Sequence, residues 1–367
     1  EKLSLFIFSG DFLKENIVTL GSFLVYSGKF LTTFFYYPLA DAAIISLIIC
    51  LVFCLMLAIA ECMTGEKSIF FPFITGLLLI TLQADYQYLL FNSLGLLLQL
   101  AFSLLIIKYL KGYLPLVLFP VWYLVTGSFA AIAVILYFTV LAKRSLKTEW
   151  LKIVLTVPVL FLTIWLLKEY ILFQPAAELI AYPVSDEDTG SQLWLFLIAA
   201  AIVALTPLWG KIKINKPLFG KQKEGVRNFL TRSSMLAAII LVCVLGYDKA
   251  SREFFAVQKL FFREKYEDVT KYITRHPTSN RLTIYLNNIA LSETGRLNDR
   301  LFWFPQSPDG QSLFLKWEMY EEVLKIGGYF YYATGMVNEA HRWAFENMVI
   351  RGIAPEDLKM LIKTEII

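Results

Sequence analysis

The chain has 367 residues, of which 57% are hydrophobic, 16% aromatic and only 17% charged, with a formal net charge of +4. Soluble domains carry about 25% charged residues, so these charges are too few to cover one water-soluble globule. The 30 Phe, 19 Tyr and 8 Trp exclude a disordered or collagen-like chain, and a mean hydropathy of +0.59 places it among polytopic membrane proteins.

In chain order, residues 1–38 read as an aromatic-rich outer segment. A membrane-crossing helix needs about 20 apolar residues. Leu39–Ala60, Leu89–Ile107, Trp150–Leu167 and Leu193–Trp209 meet that need with few or no charges. Ile69–Leu82 and Ser233–Tyr247 are shorter and would cross with their polar flanks at the interface. Leu114–Leu141 as a single helix would be about 42 Å long. Pro120 and the Thr126-Gly127-Ser128 step instead predict two short helices turning at Gly127. The expected fold is all-α: a bundle of about eight membrane helices over 1–248, then a helical domain over 249–367.

The basic residues set a topology. The expected inner loops 61–68, 108–112, 143–149 and 210–232 hold Lys67, then Lys108 and Lys111, then Lys143, Arg144 and Lys147, then Lys211, Lys213, Lys216, Lys221, Lys223, Arg227 and Arg232. The outer segments 1–38, 83–88 and 168–192 hold Lys2, Lys14, Lys29 and Lys168. This bias follows the positive-inside rule. It predicts that the C-terminal tail lies on the outer, non-cytoplasmic side, which in a bacterial inner-membrane protein is the periplasm. The loop 168–192, with Glu169, Glu178, Asp186, Glu187 and Asp188, fits the outer side.

After Asp248 the charges become dense and balanced, and the apolar period becomes helical: Val269, Tyr272 and Ile273; Ile284, Leu286, Ile289 and Leu291; Met336, Ala340, Trp343, Ala344 and Met348. Asn287 to Leu297, with Ala290 and Gly295, resembles the junction between the two helices of a tetratricopeptide repeat. Tyr332 to Ala340, with Gly335 and then Ala344, resembles it again. The two glycines lie further apart than the usual period of about 34 residues. The stretch between, with Pro305, Pro308 and Gly310, reads as an inserted loop. The tail is therefore expected to be tetratricopeptide-like and cut short at Ile367.

The whole chain resembles a family of uncharacterised polytopic membrane proteins from Bacteroidota. The resemblance is carried by Phe6-Ile-Phe-Ser-Gly-Asp11-Phe-Leu, by Phe30 to Pro38, by Ala84-Asp85-Tyr86 and by Asn287 to Leu301. It implies a membrane helix before residue 1, further helices after residue 367, and no established activity.

Soluble-enzyme signatures are missing: there is no GxxxxGK[ST], GxGxxG, HExxH, CxxC or GxSxG. Cys50 and Cys54, spaced i, i+4, read as small packing residues, and His276 and His341 as surface or packing residues of the tail. The basic run 210–232 reads as a topology anchor rather than a nucleic-acid surface. Two function classes remain. The first is an integral membrane scaffold or binding subunit, without cofactor, whose outer tail docks a protein partner, with Tyr331, Tyr332 and Trp343 as candidate contacts. The second is a membrane-embedded enzyme similar to glycosyltransferases that use a polyprenyl-linked sugar. There Asp11 would be the base or the ligand of a divalent cation and Asp85 would assist, and aromatics 30–38 would suit a sugar or an isoprenoid chain. Both acids also suit solvated loop or cap positions, and Asp41 suits either a polar cavity or an interfacial cap. A transporter, a third class, would need broken helices at mid-membrane, which only Pro120–Gly127 offers.

Overall fold

The computed structural model describes residues 6–17, 20–65, 69–86, 88–110, 112–144, 146–172, 175–183, 193–209, 224–307, 310–316 and 321–366. Most of the basic run 210–232 lies outside these residues, as do Asp186, Glu187 and Asp188. Every regular element among the described residues is helical. The contacts divide the chain into Glu1–Tyr247 and Asp248–Ile367.

The first unit opens with α1 (Gly10–Ile17), α2 (Ser22–Thr32) and α3 (Pro38–Thr64). Then come α4 (Phe70–Gln83), α5 (Leu90–Lys108), α6 (Leu114–Thr126), α7 (Ala130–Arg144) and α8 (Leu146–Leu166). The unit closes with α9 (Ala176–Ala181), α10 (Leu193–Ala204), α11 (Thr206–Trp209) and α12 (Glu224–Leu245). All of the expected apolar runs are helical, but among the described residues four stretches are long and apolar enough, by length and composition, to cross a membrane: Pro38–Met63, Leu90–Lys108, Leu114–Ala142 when α6 and α7 are taken together, and Glu149–Ile171. That corrects the expected count of about eight. The shortfall is one of length. α4 has 14 residues and α10 has 12, about 21 and 18 Å against a hydrocarbon core of about 30 Å. The run Leu193–Trp209 breaks at Leu205, and α12 spends its first turns on Glu224, Arg227 and Arg232.

α5 lies near the centre, with α2, α3 and α7 packed on it. Its core face joins Leu96 and Leu100 to Leu24, Met56, Ile59, Leu79, Phe129 and Phe196. Glycines allow close approach: a Cβ on Gly28 would come within 2.9 Å of Phe91, and one on Gly95 within 2.5 Å of the Phe129 ring. α3 and α8 flank the bundle. Leu47, Leu51, Val157 and Phe161 face outward, as lipid-facing side chains do. Cys50 and Cys54 share that exposure, so they are not core packing residues.

Side-chain contacts fix the run of 114–144. Trp122 Nε1 donates to Gln99 Oε1 at 2.8 Å and its ring stacks on Phe102, so α6 returns along α5. Gly95 abuts Phe129, while Phe102 and Ile106 share a cluster with Ala133, Tyr137 and Leu141, so α7 runs in the same direction as α5. The chain therefore reverses at Gly127, whose φ of 61° and ψ of −141° open the turn. α8 then runs beside α6: Lys152 Nζ lies over the Tyr113 ring, and Phe119 and Tyr123 join Leu167 in one cluster.

The second unit contains α13 (Lys249–Phe262), α14 (Tyr266–Arg275), α15 (Arg281–Glu293), α16 (Leu297–Arg300), α17 (Glu321–Ala333), α18 (Val337–Arg351) and α19 (Pro355–Glu365). Asp248 caps α13 by accepting from the amides of Ala250 and Ser251, and Asn280 caps α15 by accepting from Leu282 and Thr283. α15 is buried along its length from Thr283 to Leu291. α17 and α18 form a hairpin through Gly335, at φ 80°. The other expected junction differs. After Gly295 the chain makes only the four-residue α16, not a full second helix.

Ala at position 127 would meet both a glycine-only backbone conformation and atoms of Tyr182 and Pro183 at 2.8 Å. Gly127→Ala is expected to cost about 1–3 kcal/mol, read as a lowered thermal unfolding midpoint of the purified protein. Gly112→Ala should cost less. Gly112 also has positive φ, but nothing lies within 4 Å of its Cβ position.

Candidate functional site

Three irregular segments meet at the Gly127 turn. The Gly21 amide donates to the Leu124 carbonyl at 3.0 Å, the Ser128 amide donates to the Tyr182 carbonyl at 3.0 Å, and the Tyr123 hydroxyl donates to the Leu179 carbonyl at 2.6 Å. Segments from 1–38, from 114–141 and from 168–192 thus share one end of the first unit.

Asp85 lies in the turn between α4 and α5, half-buried, its carbonyl accepting from the Tyr88 amide at 3.2 Å. Beneath that turn is a polar group. Gln83 Nε2 donates to Ser93 Oγ at 3.0 Å, and the Tyr88 hydroxyl lies 3.2 Å from the same oxygen. Asn92 beside it is fully buried, with no hydrogen-bond partner on either amide atom. Asp11 is the second residue of α1, and its side chain lies outside the described atoms. The aromatics near it contact one another: Phe6, Phe12, Tyr26 and Phe30 have ring centroids 5.0–6.2 Å apart. Asp41 sits in the first turn of α3, one carboxylate oxygen buried without a hydrogen-bond partner. Among the described residues, no group of three or more His, Cys, Asp or Glu side chains gathers to hold a metal ion.

The second unit presents the insertion 301–316. Buried residues of α15 grip it from inside. Tyr285 donates its hydroxyl proton to the Phe314 carbonyl at 2.9 Å. Asn288 Nδ2 donates to Gln306 Oε1 at 3.0 Å and to the Ser312 carbonyl at 3.2 Å. Gln306 Nε2 donates to the Leu301 carbonyl at 3.0 Å. With its backbone held this way, the loop turns large apolar side chains outward: Phe302 is 84% exposed, Trp303 73% and Phe314 63%. The Arg300 guanidinium lies 5.0 Å from the centre of the Trp303 ring. Sequence reasoning passed over these aromatics. The available signal was their position on either side of Pro305, Pro308 and Gly310, where no helical period requires apolar residues.

Of the nominated tail residues, Tyr331 donates its hydroxyl to the Leu315 carbonyl at 3.1 Å and so braces the insertion. Tyr332 has Lys363 Nζ 5.7 Å from its ring centre. Trp343 is 1% exposed and fills the notch left by Gly327, which makes it a core residue. His341 Nδ1 lies 3.0 Å from Thr364 Oγ1, and His276 packs on Tyr272. Asp357 is 2% exposed, and burial pushes its carboxyl up to about 6 against the opposing hydrogen bond from Asn347.

Glu264, at φ 58°, closes the α13–α14 turn. Its carboxylate takes Lys359 at 2.9 Å and Lys363 at 2.8 Å, which ties α19 to that turn. Hydrogen bonds from Lys359 and then Lys363 hold its pKa down to about 2, against an ordinary 4.5.

The family of unknown function DUF6057 matches residues 1–367, and the chain belongs to that family. No curated protein and no solved structure matches it.

A depressed carboxylate pKa stabilises the folded state above the unfolded pKa, and that contribution disappears as pH falls through the folded value. Between about pH 4.5 and 2 the tail should lose the stability that Glu264 supplies. Thermal midpoints measured across that window should fall more steeply for the native protein than for Glu264→Gln.

Proposed function

We propose that this protein is an integral membrane binding subunit that docks a protein partner through the exposed aromatics of insertion 301–316. One observation carries the reading: Phe302, Trp303 and Phe314 stand in solvent on a backbone fixed by buried side chains of α15. Exposed Trp and Phe lose contact with water when a partner covers them, and a backbone already ordered costs little entropy on binding. The four spanning stretches support a membrane location. The distribution of Lys and Arg supports a tail on the non-cytoplasmic side, which in a bacterial inner membrane is the periplasm. The hairpin through Gly335, with Trp343 seated on Gly327, supports a tetratricopeptide-like array.

Trp303→Ala and Phe302→Ala should each weaken capture of a cross-linked partner by the full-length protein about thirtyfold, the scale of an interface hot spot. Thermal midpoints should be unchanged, because neither side chain is in the core. Unchanged capture, or no partner on the intact protein, refutes the proposal.

A second reading, a glycosyltransferase-like enzyme using a polyprenyl-linked donor with Asp11, Asp85 and a divalent cation, draws support from the polar group beneath the Asp85 turn. Under it, Asp85→Asn abolishes sugar transfer in membranes while expression holds. Full activity in that variant rules the reading out.

A further inference from the structure

α6 and α8 leave a groove of about 430 Å³ between them. Its origin lies in their sequences. Each helix carries an internal proline, Pro120 and Pro158, which removes a hydrogen bond from the helix there. Thr163 turns its hydroxyl back on the Val159 carbonyl at 2.7 Å, and α8 runs out through a π-helical turn at Leu167–Ile171. The walls are apolar, with Val117, Val121 and Leu124 facing Val159, Leu162 and Leu166.

The two ends of the groove differ. Tyr113 closes one end, and Lys152 Nζ lies 5.7 Å from the centre of its ring. Lys152 pairs with Glu149, both side chains being mostly buried. Lys108 closes α5 just before, and Lys111, Lys143, Arg144 and Lys147 are neighbours in sequence. From Tyr113 to Leu124 the α6 wall rises about 17 Å, about half of a 30 Å hydrocarbon core and so the depth of one leaflet. A helix is about 10 Å across, and 17 Å of it would occupy about 1,300 Å³, so a helix from a second copy does not fit. A polar ligand would lose its water along these walls without gaining hydrogen bonds.

We infer that this groove holds one hydrocarbon chain of an anionic phospholipid from the leaflet on the basic-loop side, with its phosphate at Tyr113 and Lys152. The inference stands independently of the docking surface on the tail. Glu149 competes with the phosphate for Lys152, so the two residues act in opposite senses on headgroup preference.

The test uses the full chain in vesicles containing phosphatidylglycerol, or phosphatidylcholine as comparison, each with a photoactivatable group in mid-chain. Labelled positions are read by mass spectrometry. Labelling should concentrate on 113–124 and 159–171 relative to Leu47 and Leu51 of α3, and should favour phosphatidylglycerol. Lys152→Gln should lower the ratio between the two lipids by up to about fivefold, the effect of one lysine on an anionic lipid. Glu149→Gln should raise it, which loss of a merely structural ion pair would not do. Leu162→Trp should fill the groove and reduce labelling from both lipids. If that variant fails to fold, Val121→Phe serves the same purpose. Groove labelling no higher than on α3, a lipid ratio indifferent to both charge variants, or cross-links from the groove to a second copy would each overturn the inference.

Discussion

Backbone amides and carbonyls freed where a packed helix breaks are costly to leave unpaired, so another part of the chain must answer them. The Gly127 turn is such a break, and two other segments answer it. Gly21 serves the Leu124 carbonyl, the Tyr182 carbonyl serves the Ser128 amide, and Tyr123 reaches the Leu179 carbonyl. The positions of α2 and α9 follow from that exchange. Because α6 must fold back on α5 and α8 must then run beside α6, the groove between these two proline-containing helices depends on the same turn.

The tail solves a related problem in water. An insertion between helices costs conformational entropy unless something orders it. α15 does so with polar side chains that reach outward from a buried helix, Tyr285 and Asn288 above all, and Tyr331 adds a bond from α17. Glu264 does comparable work at the α13–α14 turn, drawing Lys359 and Lys363 of α19 against it.

Local chemistry was the legible part of this sequence. The turn glycines Gly127, Gly295 and Gly335 can be read where they stand. Helix length was not legible, because hydropathy marks apolar runs and not where a helix stops. Leu193–Trp209 reads as one span, yet the helix breaks at Leu205, ahead of Thr206 and Pro207. Burial inside the tail was not legible either. Trp343 lies on the apolar period of its helix and was nominated as a partner contact, whereas the missing side chain of Gly327 gives it a place in the core. Trp303 and Phe302 look like core residues by type and are the most exposed aromatics of the insertion. The polar group at Asp85 combines Gln83, Tyr88 and Ser93, which no motif spacing links.

The insertion is held largely by its carbonyls, while the side chains of Phe302, Trp303 and Phe314 stand exposed. The grip of Asn288, Tyr285 and Tyr331 falls on main-chain oxygens of Ser312, Phe314 and Leu315, atoms that every residue type possesses. Replacing Phe302, Trp303 or Phe314 therefore leaves the frame of the loop as it was. What the loop displays and what keeps it in place are written in separate residues, so the display can change without the fold having to be solved again.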